Sequence, residues 1–385
     1  MRTVTFILFF GVFFAITGSI SLYIFVRGLQ SIPADSSLRH AYSVVFWTVA
    51  LSYIGGRILE RALPSFLADF LIWMGSFWMA AMLYFLIAVV SLDLLRLVNR
   101  FIPFFPSAVT GNYAQVKYIT LAAVTGLVGL LLLGGHVNST LPRVRELSLS
   151  IPKKASGMKS LDIALVSDIH MGTIVGRSRT DQIVEKINSL DPDLVLLPGD
   201  IVDEDLAPVV KQNLGESLRK LRTRLGVYAV TGNHEYIGGV EEACSYLIEH
   251  NVTVLRDQSV KVGDSVYIVG REDRSMNRFD GGQRKSLEEL MAAVDRNCPV
   301  ILMDHQPFGL DEAASQGIDL QVSGHTHAGQ LWPLNHIVDP IYELPWGYKK
   351  TAGRHFYVSN GAGTWGPPVR LGNRPEIVRI RLNFQ

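Results

Sequence analysis

Five short blocks between Asp168 and His327 gather the residue types that hold metal ions. They read Ser167-Asp168-Ile169-His170, Gly199-Asp200-Ile201-Val202-Asp203, Gly232-Asn233-His234-Glu235, Asp304-His305-Gln306-Pro307 and Gly324-His325-Thr326-His327. Five of the chain's ten histidines lie in them. Asp, Asn and His supply oxygen and nitrogen ligands suited to Mn, Fe or Zn, so the chemistry on offer is that of bound divalent cations. The two cysteines, Cys244 and Cys298, fall outside the blocks, which argues against a thiolate zinc site or a disulfide framework. A lone Asp-x-His carries little weight, and any single histidine could equally cap or hydrogen-bond locally. Gly-Asn-His-Glu and Gly-His-x-His are much rarer, and the whole set in this order carries the reading. Its glycines let the backbone turn tightly and bring ligands together.

Such ligands need elements to position them. Leu161–Val166, Asp193–Leu197, Val227–Val230, Val300–Met303 and Ile318–Val322 are short apolar, β-branched runs, and each ends in one of the polar blocks. Helical periodicity fits Thr180–Leu190, Val209–Arg222, Val240–Glu249 and Ser286–Val294 between them, with a later all-β section over about Phe356–Leu382. Alternation of this kind builds α/β layers, in which ligands gather beyond the carboxyl ends of strands.

On these blocks the chain resembles the calcineurin-like metallophosphoesterase superfamily over about residues 158–385. Gly324-His325-Thr326-His327-Ala328-Gly329-Gln330 is most similar to its bacterial, often membrane-attached branch. The resemblance implies an α/β fold, a four-layer αββα sandwich. It also implies two divalent metal ions (Mn, Fe or Zn, with Mn expected in vitro). The first would take Asp168, His170, Asp200 and His327; the second would take Asp200 as a bridge with Asn233, His305 and His325. His234 would sit beside the ions as the catalytic acid. Two adjacent cations polarise one phosphate and acidify a bridging water, whose hydroxide attacks phosphorus in line. Asp203 and Glu235 are expected to orient loops or ligands, and Asp304 to support the ligands or cap its strand. Arg370 is a candidate to bind substrate phosphate, as are Arg271 and Arg274, with a solvated surface role open for each. His250, His336 and His355 lack a motif and read as structural.

The N-terminal third is of another kind. Residues 1–140 hold 8 Lys/Arg and 4 Asp/Glu, against 28 and 31 in residues 141–385. Val4–Val26 is uncharged over 23 residues, about 34 Å as a helix and enough to cross a bilayer core. Phe70–Leu92 and Tyr118–Pro142 are at least as long; Ala41–Gly56 is shorter, flanked by Arg39 and Arg57 that can snorkel. The expected organisation is an all-α, four-helix transmembrane domain over 1–140, a linker over 141–157 and a metallophosphoesterase domain over 158–385. The protein is expected in the inner membrane, and the positive-inside rule favours a cytoplasmic catalytic domain through Arg143, Arg145, Lys153 and Lys154.

Absences narrow the substrate. The net charge of +1 and the lack of a basic track give no reason to expect nucleic acid, and no obligate protein partner is evident. Asp203 is followed by Glu204 and Asp205, where protein phosphatases of the superfamily carry Asp-Arg-Gly, which disfavours a phosphoprotein. The apolar segment Leu331–Tyr348 directly follows the last block. It suggests a membrane-associated phosphodiester or pyrophosphate substrate, of phospholipid or UDP-sugar-lipid type. Three readings stay open beside it: a phosphodiesterase on soluble nucleotides, a non-catalytic membrane sensor that binds metal or nucleotide, and a lipid-binding role for the four spans themselves.

Overall fold

The computed structural model describes residues 2–63 and 65–385, with side chains from residue 11 onward except that of residue 13. It divides into two units, Met1–Gly135 and His136–Gln385.

The first unit is helical: α1 (Arg2–Leu29), α2 (Leu38–Ala62), α3 (Phe66–Phe101), the short α4 (Ser107–Gly111) and α5 (Tyr113–Ser139), whose last turn belongs to the second unit. Among the described residues α2, α3 and α5 are long and apolar enough to cross a membrane. Of the expected span Val4–Val26, much falls on side chains outside those described; the described apolar part of α1 is Phe14–Leu29. Helices α2 and α3 approach through glycine, because a Cβ on Gly75 would strike the Tyr53 backbone. Small residues allow such approach where lipid gives no hydrophobic drive between helices. Asp93 pairs with Arg27 (2.6 Å) and Arg96 (3.1 Å) and accepts a hydrogen bond from Tyr23.

The second unit holds two six-stranded sheets. The first contains β1 (Arg143–Ile151), β2 (Ser160–Leu165), β3 (Leu194–Pro198), β4 (Val227–Val230), β5 (Thr253–Val254) and β12 (Glu376–Phe384), in the order β1-β12-β2-β3-β4-β5. The second contains β6 (Gln258–Val262), β7 (Val266–Gly270), β8 (Val300–Met303), β9 (Leu320–Ser323), β10 (Gly347–Thr351) and β11 (Arg354–Val358), in the order β10-β11-β9-β8-β7-β6. Each sheet has a parallel centre, β2 to β5 in one and β7-β8-β9-β11 in the other. Alternate residues point to the same face. Ile163, Leu165, Leu194, Leu196, Val378 and Ile380 of one sheet thereby pack against Ile268, Ile301, Met303, Leu320 and Val322 of the other. Beyond the second sheet, Leu302 and Val358 meet helices Leu287–Met291 and Leu310–Ser315. Helix α6 (Arg177–Asn188) buries Ile183, Val184 and Ile187.

Two expectations need correcting. The segment 141–157 is not a linker throughout, because β1 fills much of it and pairs with β12 from Arg143↔Glu376 to Ile151↔Phe384. Its period-two pattern buries Leu149 and Ile151. The helix expected over Val209–Arg222 is two short turns, Ala207–Lys211 and Gly215–Leu218, separated at Asn213, whose φ of 51° is left-handed.

Candidate metal centre

All five blocks leave the carboxyl ends of parallel strands: β2, β3, β4, β8 and β9. Backbone bonds then join the blocks. Asp168 N–H donates to Gly199 O and His170 N–H to Asp200 O, at 3.2 and 3.0 Å, while Gly324 N–H donates to His305 O at 2.9 Å. Asp168, His170, Asp200, His325 and His327 all have positive φ, between 48° and 73°. Non-glycine residues seldom adopt this conformation, at about 1–3 kcal/mol each, and such strain clusters at functional sites. Glycine is required where blocks cross: a Cβ on Gly232 would strike Asp200 Oδ1, and one on Gly324 would strike Asp168 Oδ2.

Two donor sets result. In the first, His170 Nε2 lies 3.0 Å from His327 Nε2, and His327 Nε2 lies 3.6 Å from Asp168 Oδ1. In the second, Asn233 Oδ1 lies 2.7 Å from His325 Nδ1 and 3.2 Å from His305 Nε2. Asp200 Oδ2 stands between the sets, 3.1 Å from His305 Nε2 and 3.9 Å from His170 Nε2. Backbone amides orient both carboxylates: His325 N–H donates to Asp168 Oδ1 and His234 N–H to Asp200 Oδ1, each at 2.9 Å. Asp168 Oδ2 is buried with no hydrogen-bond partner. His305 Nδ1 lies 2.8 Å from the Pro198 carbonyl, which turns Nε2 toward two oxygen acceptors. A buried carboxylate oxygen left without a donor among converging imidazoles fits divalent cations, and three groups, Asp168-His170-His327, Asp200-His305-His325 and His170-Asp203-His234, have the spacing to hold an ion.

Charges in this cluster are strongly linked. Burial would raise the Asp200 carboxyl, but His305, His234 and His170 outweigh it and hold it well below the usual range. Burial would lower His305, and Asp200 holds it well above its ordinary value. His327 is driven well below by burial, His170 and Arg370, and His325 falls to about 4 through burial and the charge of His305.

His234 belongs to the third group, which shares His170 with the first. Its Nδ1 faces Asp203 Oδ1 at 3.2 Å and Glu204 Oε1 at 3.8 Å, and its ring meets that of His170 edge-on at 4.5 Å. Burial lowers it, yet Asp200, Asp203 and Glu204 raise it to about 10. Asp203 Oδ1 also lies 3.5 Å from His170 Nδ1, so one carboxylate sets the orientation of two imidazoles. Glu235 Oε1 accepts from the amides of Ile201 and Val202, and Oε2 from those of Asp200 and Gly232. It ties the second block to the third, which is the loop-orienting role expected for it.

Residues 161–329 match the model of the calcineurin-like phosphoesterases. A metallophosphoesterase of Helicobacter pylori is 33% identical over 271 residues, an alignment that covers 69% of this chain and 70% of that one. The chain belongs to the calcineurin-like phosphoesterase family. A bovine "Transmembrane protein with metallophosphoesterase domain" is 35% identical over 63% of this chain, which spans 57% of that relative's length. A Campylobacter jejuni metallophosphoesterase is 26% identical over 98% of both chains, so the likeness also runs through the N-terminal apolar helices.

Within this phosphoesterase Arg370 is not placed to grip substrate. It is fully buried, and its guanidinium donates to the carbonyls of Asn360 (2.7 Å) and Gly363 (2.8 Å). The same Nη2 lies 3.1 Å from His327 Nδ1. Arg370 holds the loop behind the ligands. Arg271 is also buried, paired with Asp304 and Glu312, while Arg274 lies over the Phe308 ring. Asp304 additionally pairs with Arg284 at 3.1 Å, a supporting role. Sequence reasoning passed over Trp365, whose indole lies 5.9 Å from the His234 ring and donates to Glu204. Its setting, Gly363-Thr364-Trp365-Gly366, was the available signal.

Proposed function

We propose that this metallophosphoesterase hydrolyses a phosphodiester or pyrophosphate bond in a membrane-associated substrate, of phospholipid or UDP-sugar-lipid type. Asp168, His170, Asp200 and His327 would hold one divalent cation, and Asp200, Asn233, His305 and His325 the other, with Mn the ion expected in vitro. Divalent cations held there would supply Lewis acidity toward the phosphate and toward water. The chain's own part is to set the geometry. Asp200 reaches both sets, Asp203 orients His170 and His234, and His234 delivers a proton to the leaving oxygen.

The observation that carries the lipid assignment is where the apolar segment lies. The Tyr342 ring is 6.1 Å from that of His325 and 4.9 Å from that of Phe308, and Thr326 Oγ1 donates to Pro345 O at 2.6 Å. The segment therefore borders the centre. Beside it Trp332, Ile337 and Ile341 are 53%, 62% and 57% exposed. Exposed apolar residues grouped together mark an interaction surface, and Trp is favoured where a bilayer meets water. The double substitution Trp332→Ser and Ile341→Ser should lower hydrolysis of micellar lipid about tenfold or more, because each apolar side chain withdrawn from lipid removes ~1–2 kcal/mol. Hydrolysis of bis-p-nitrophenyl phosphate with Mn²⁺ should change little. Equal losses on both substrates would remove the lipid assignment.

The same reading makes α1 a fourth span and puts the catalytic unit on the cytoplasmic side of the inner membrane, following Arg143, Arg145, Lys153 and Lys154. Protease added to intact spheroplasts should then leave residues 141–385 uncut, and should cut them in inverted vesicles. Cleavage in spheroplasts would reverse the orientation.

A further inference from the structure

Away from the metal centre, a cleft of about 360 Å³ is lined by Asn138, Arg143, Arg145, Trp346, Arg374 and Glu376, with Gly372 and Asn373 at its edge. Three guanidinium groups and one carboxylate share it. The carboxylate is already committed. Glu376 is buried, and its Oε1 accepts from the Trp346 indole, the Tyr357 hydroxyl and the Asn360 amide. Its Oε2 pairs with Arg145 at 3.2 Å, and Arg145 lies over the Trp346 ring with 4.8 Å to the centroid. Among the described residues, Arg143 and Arg374 have no carboxylate partner. Arg374 Nε is moreover buried with no hydrogen-bond partner, which leaves a donor in the wall of the cleft without an acceptor. Two uncompensated guanidiniums beside an aromatic wall call for an anion with several acceptor oxygens. Phosphate matches, since the guanidinium fork pairs with two of its oxygens at once.

Chain connectivity says where that anion comes from. Asn138 belongs to the last turn of α5, and Arg143 follows the end of α5 by four residues. Four residues reach at most about 14 Å, so the cleft lies at the mouth of an apolar helix long enough to cross a membrane. The α5 end is itself pinned to the loop that forms the cleft: Asn138 Nδ2 donates to Arg370 O (2.9 Å) and Asn373 O (2.7 Å), and Ser139 Oγ to Pro368 O (3.0 Å). We infer that this cleft binds the phosphate group of an anionic phospholipid headgroup, separately from the catalytic centre. The inference rests on α5 entering the bilayer and not on the identity of the hydrolysed substrate. Its effect would be to hold the catalytic unit against an anionic leaflet, with Trp346 at the boundary.

The test uses the full chain purified in detergent and measured by native mass spectrometry. Titration with phosphatidylglycerol should give one adduct that outlasts collisional activation, and phosphatidylcholine should not. Arg143→Gln should weaken it about fivefold, and adding Arg374→Gln about fivefold again. Melting temperature and Mn²⁺-dependent hydrolysis of bis-p-nitrophenyl phosphate should stay near wild type, which separates this inference from the catalytic reading. Glycerol 1-phosphate distinguishes the two sources of a phosphate group. If it competes only at far higher concentration, the headgroup is held in place by its lipid. If it binds as tightly as the lipid, the site serves a soluble phosphate ester and the lipid assignment falls. A phosphatidylcholine adduct of equal strength, or a phosphatidylglycerol adduct unchanged in Arg143→Gln, would overturn the inference. Arg143 is exposed, so this single variant keeps the test open should the double variant fold poorly.

Discussion

His234→Ala should lower turnover of bis-p-nitrophenyl phosphate by about 10²–10⁴-fold, the usual share of a positioned general acid, while the purified protein still carries two metal ions. The geometry separates these two readouts. His234 lies outside the Asp168-His170-His327 and Asp200-His305-His325 triads, though it groups with His170 and Asp203, and its ring meets that of His170 at 4.5 Å. Its Nδ1 faces Asp203 and Glu204, which leaves Nε2 as the nitrogen to present to a leaving oxygen. The three carboxylates that raise it keep it protonated at neutral pH, and cations bound alongside would draw its pKa back toward neutrality. Asn233→Ala should behave differently. Its Oδ1 stands 2.7 Å from His325 Nδ1 and 3.2 Å from His305 Nε2, so removing it should take one ion with it as well as the activity. Metal content by inductively coupled plasma mass spectrometry, read beside turnover, distinguishes the two variants. Near-wild-type rates in both, on a substrate the native protein cleaves, would sink these roles.

What made the centre legible is that each block is contiguous in sequence and follows an apolar strand. Val227–Val230 and Val300–Met303 form at their expected bounds, and β2 and β3 within one residue of theirs. A parallel strand buried on both faces is a continuous apolar run, and such runs stand out. The weaker signals lay where a pattern serves two readings. Arg143–Ile151 alternates, but Arg143, Arg145 and Glu146 crowd its start with charge, so the strand hid in what resembled a linker. The break at Asn213 depends on a left-handed turn that an asparagine permits without announcing. The same holds for the five positive φ values in the centre, because residue type does not encode strain of this kind. Asp203 was expected to orient ligands, but that one oxygen faces both His170 and His234 is a fact of three dimensions.

Arg370→Ala should destabilise the catalytic unit by about 3–5 kcal/mol, because several buried acceptors lose a charged donor at about 1–3 kcal/mol each. For a unit of this size that is on the order of 10 °C in melting temperature. The side chain is fully buried and its donors meet Asn360 O, Gly363 O, Asn373 Oδ1 and His327 Nδ1. Truncation leaves those acceptors without their donor and opens a void behind the loop between β11 and β12. Burial, together with the neighbouring charge of Arg179, lowers the guanidinium to about 9, a value that still keeps it charged at neutral pH. Arg370→Lys should recover only part of the loss, because one ammonium cannot reproduce a fork that serves several carbonyls in fixed directions. An arginine that gripped substrate would behave in the opposite way: alanine would raise KM and leave the melting curve where it was. Differential scanning calorimetry and a KM measurement on the same preparations therefore decide between the two roles. A wild-type melting temperature with a raised KM would return Arg370 to the substrate. The expected result is a low melting temperature, with metal lost first from the set containing His327, since that imidazole is the ligand Arg370 touches.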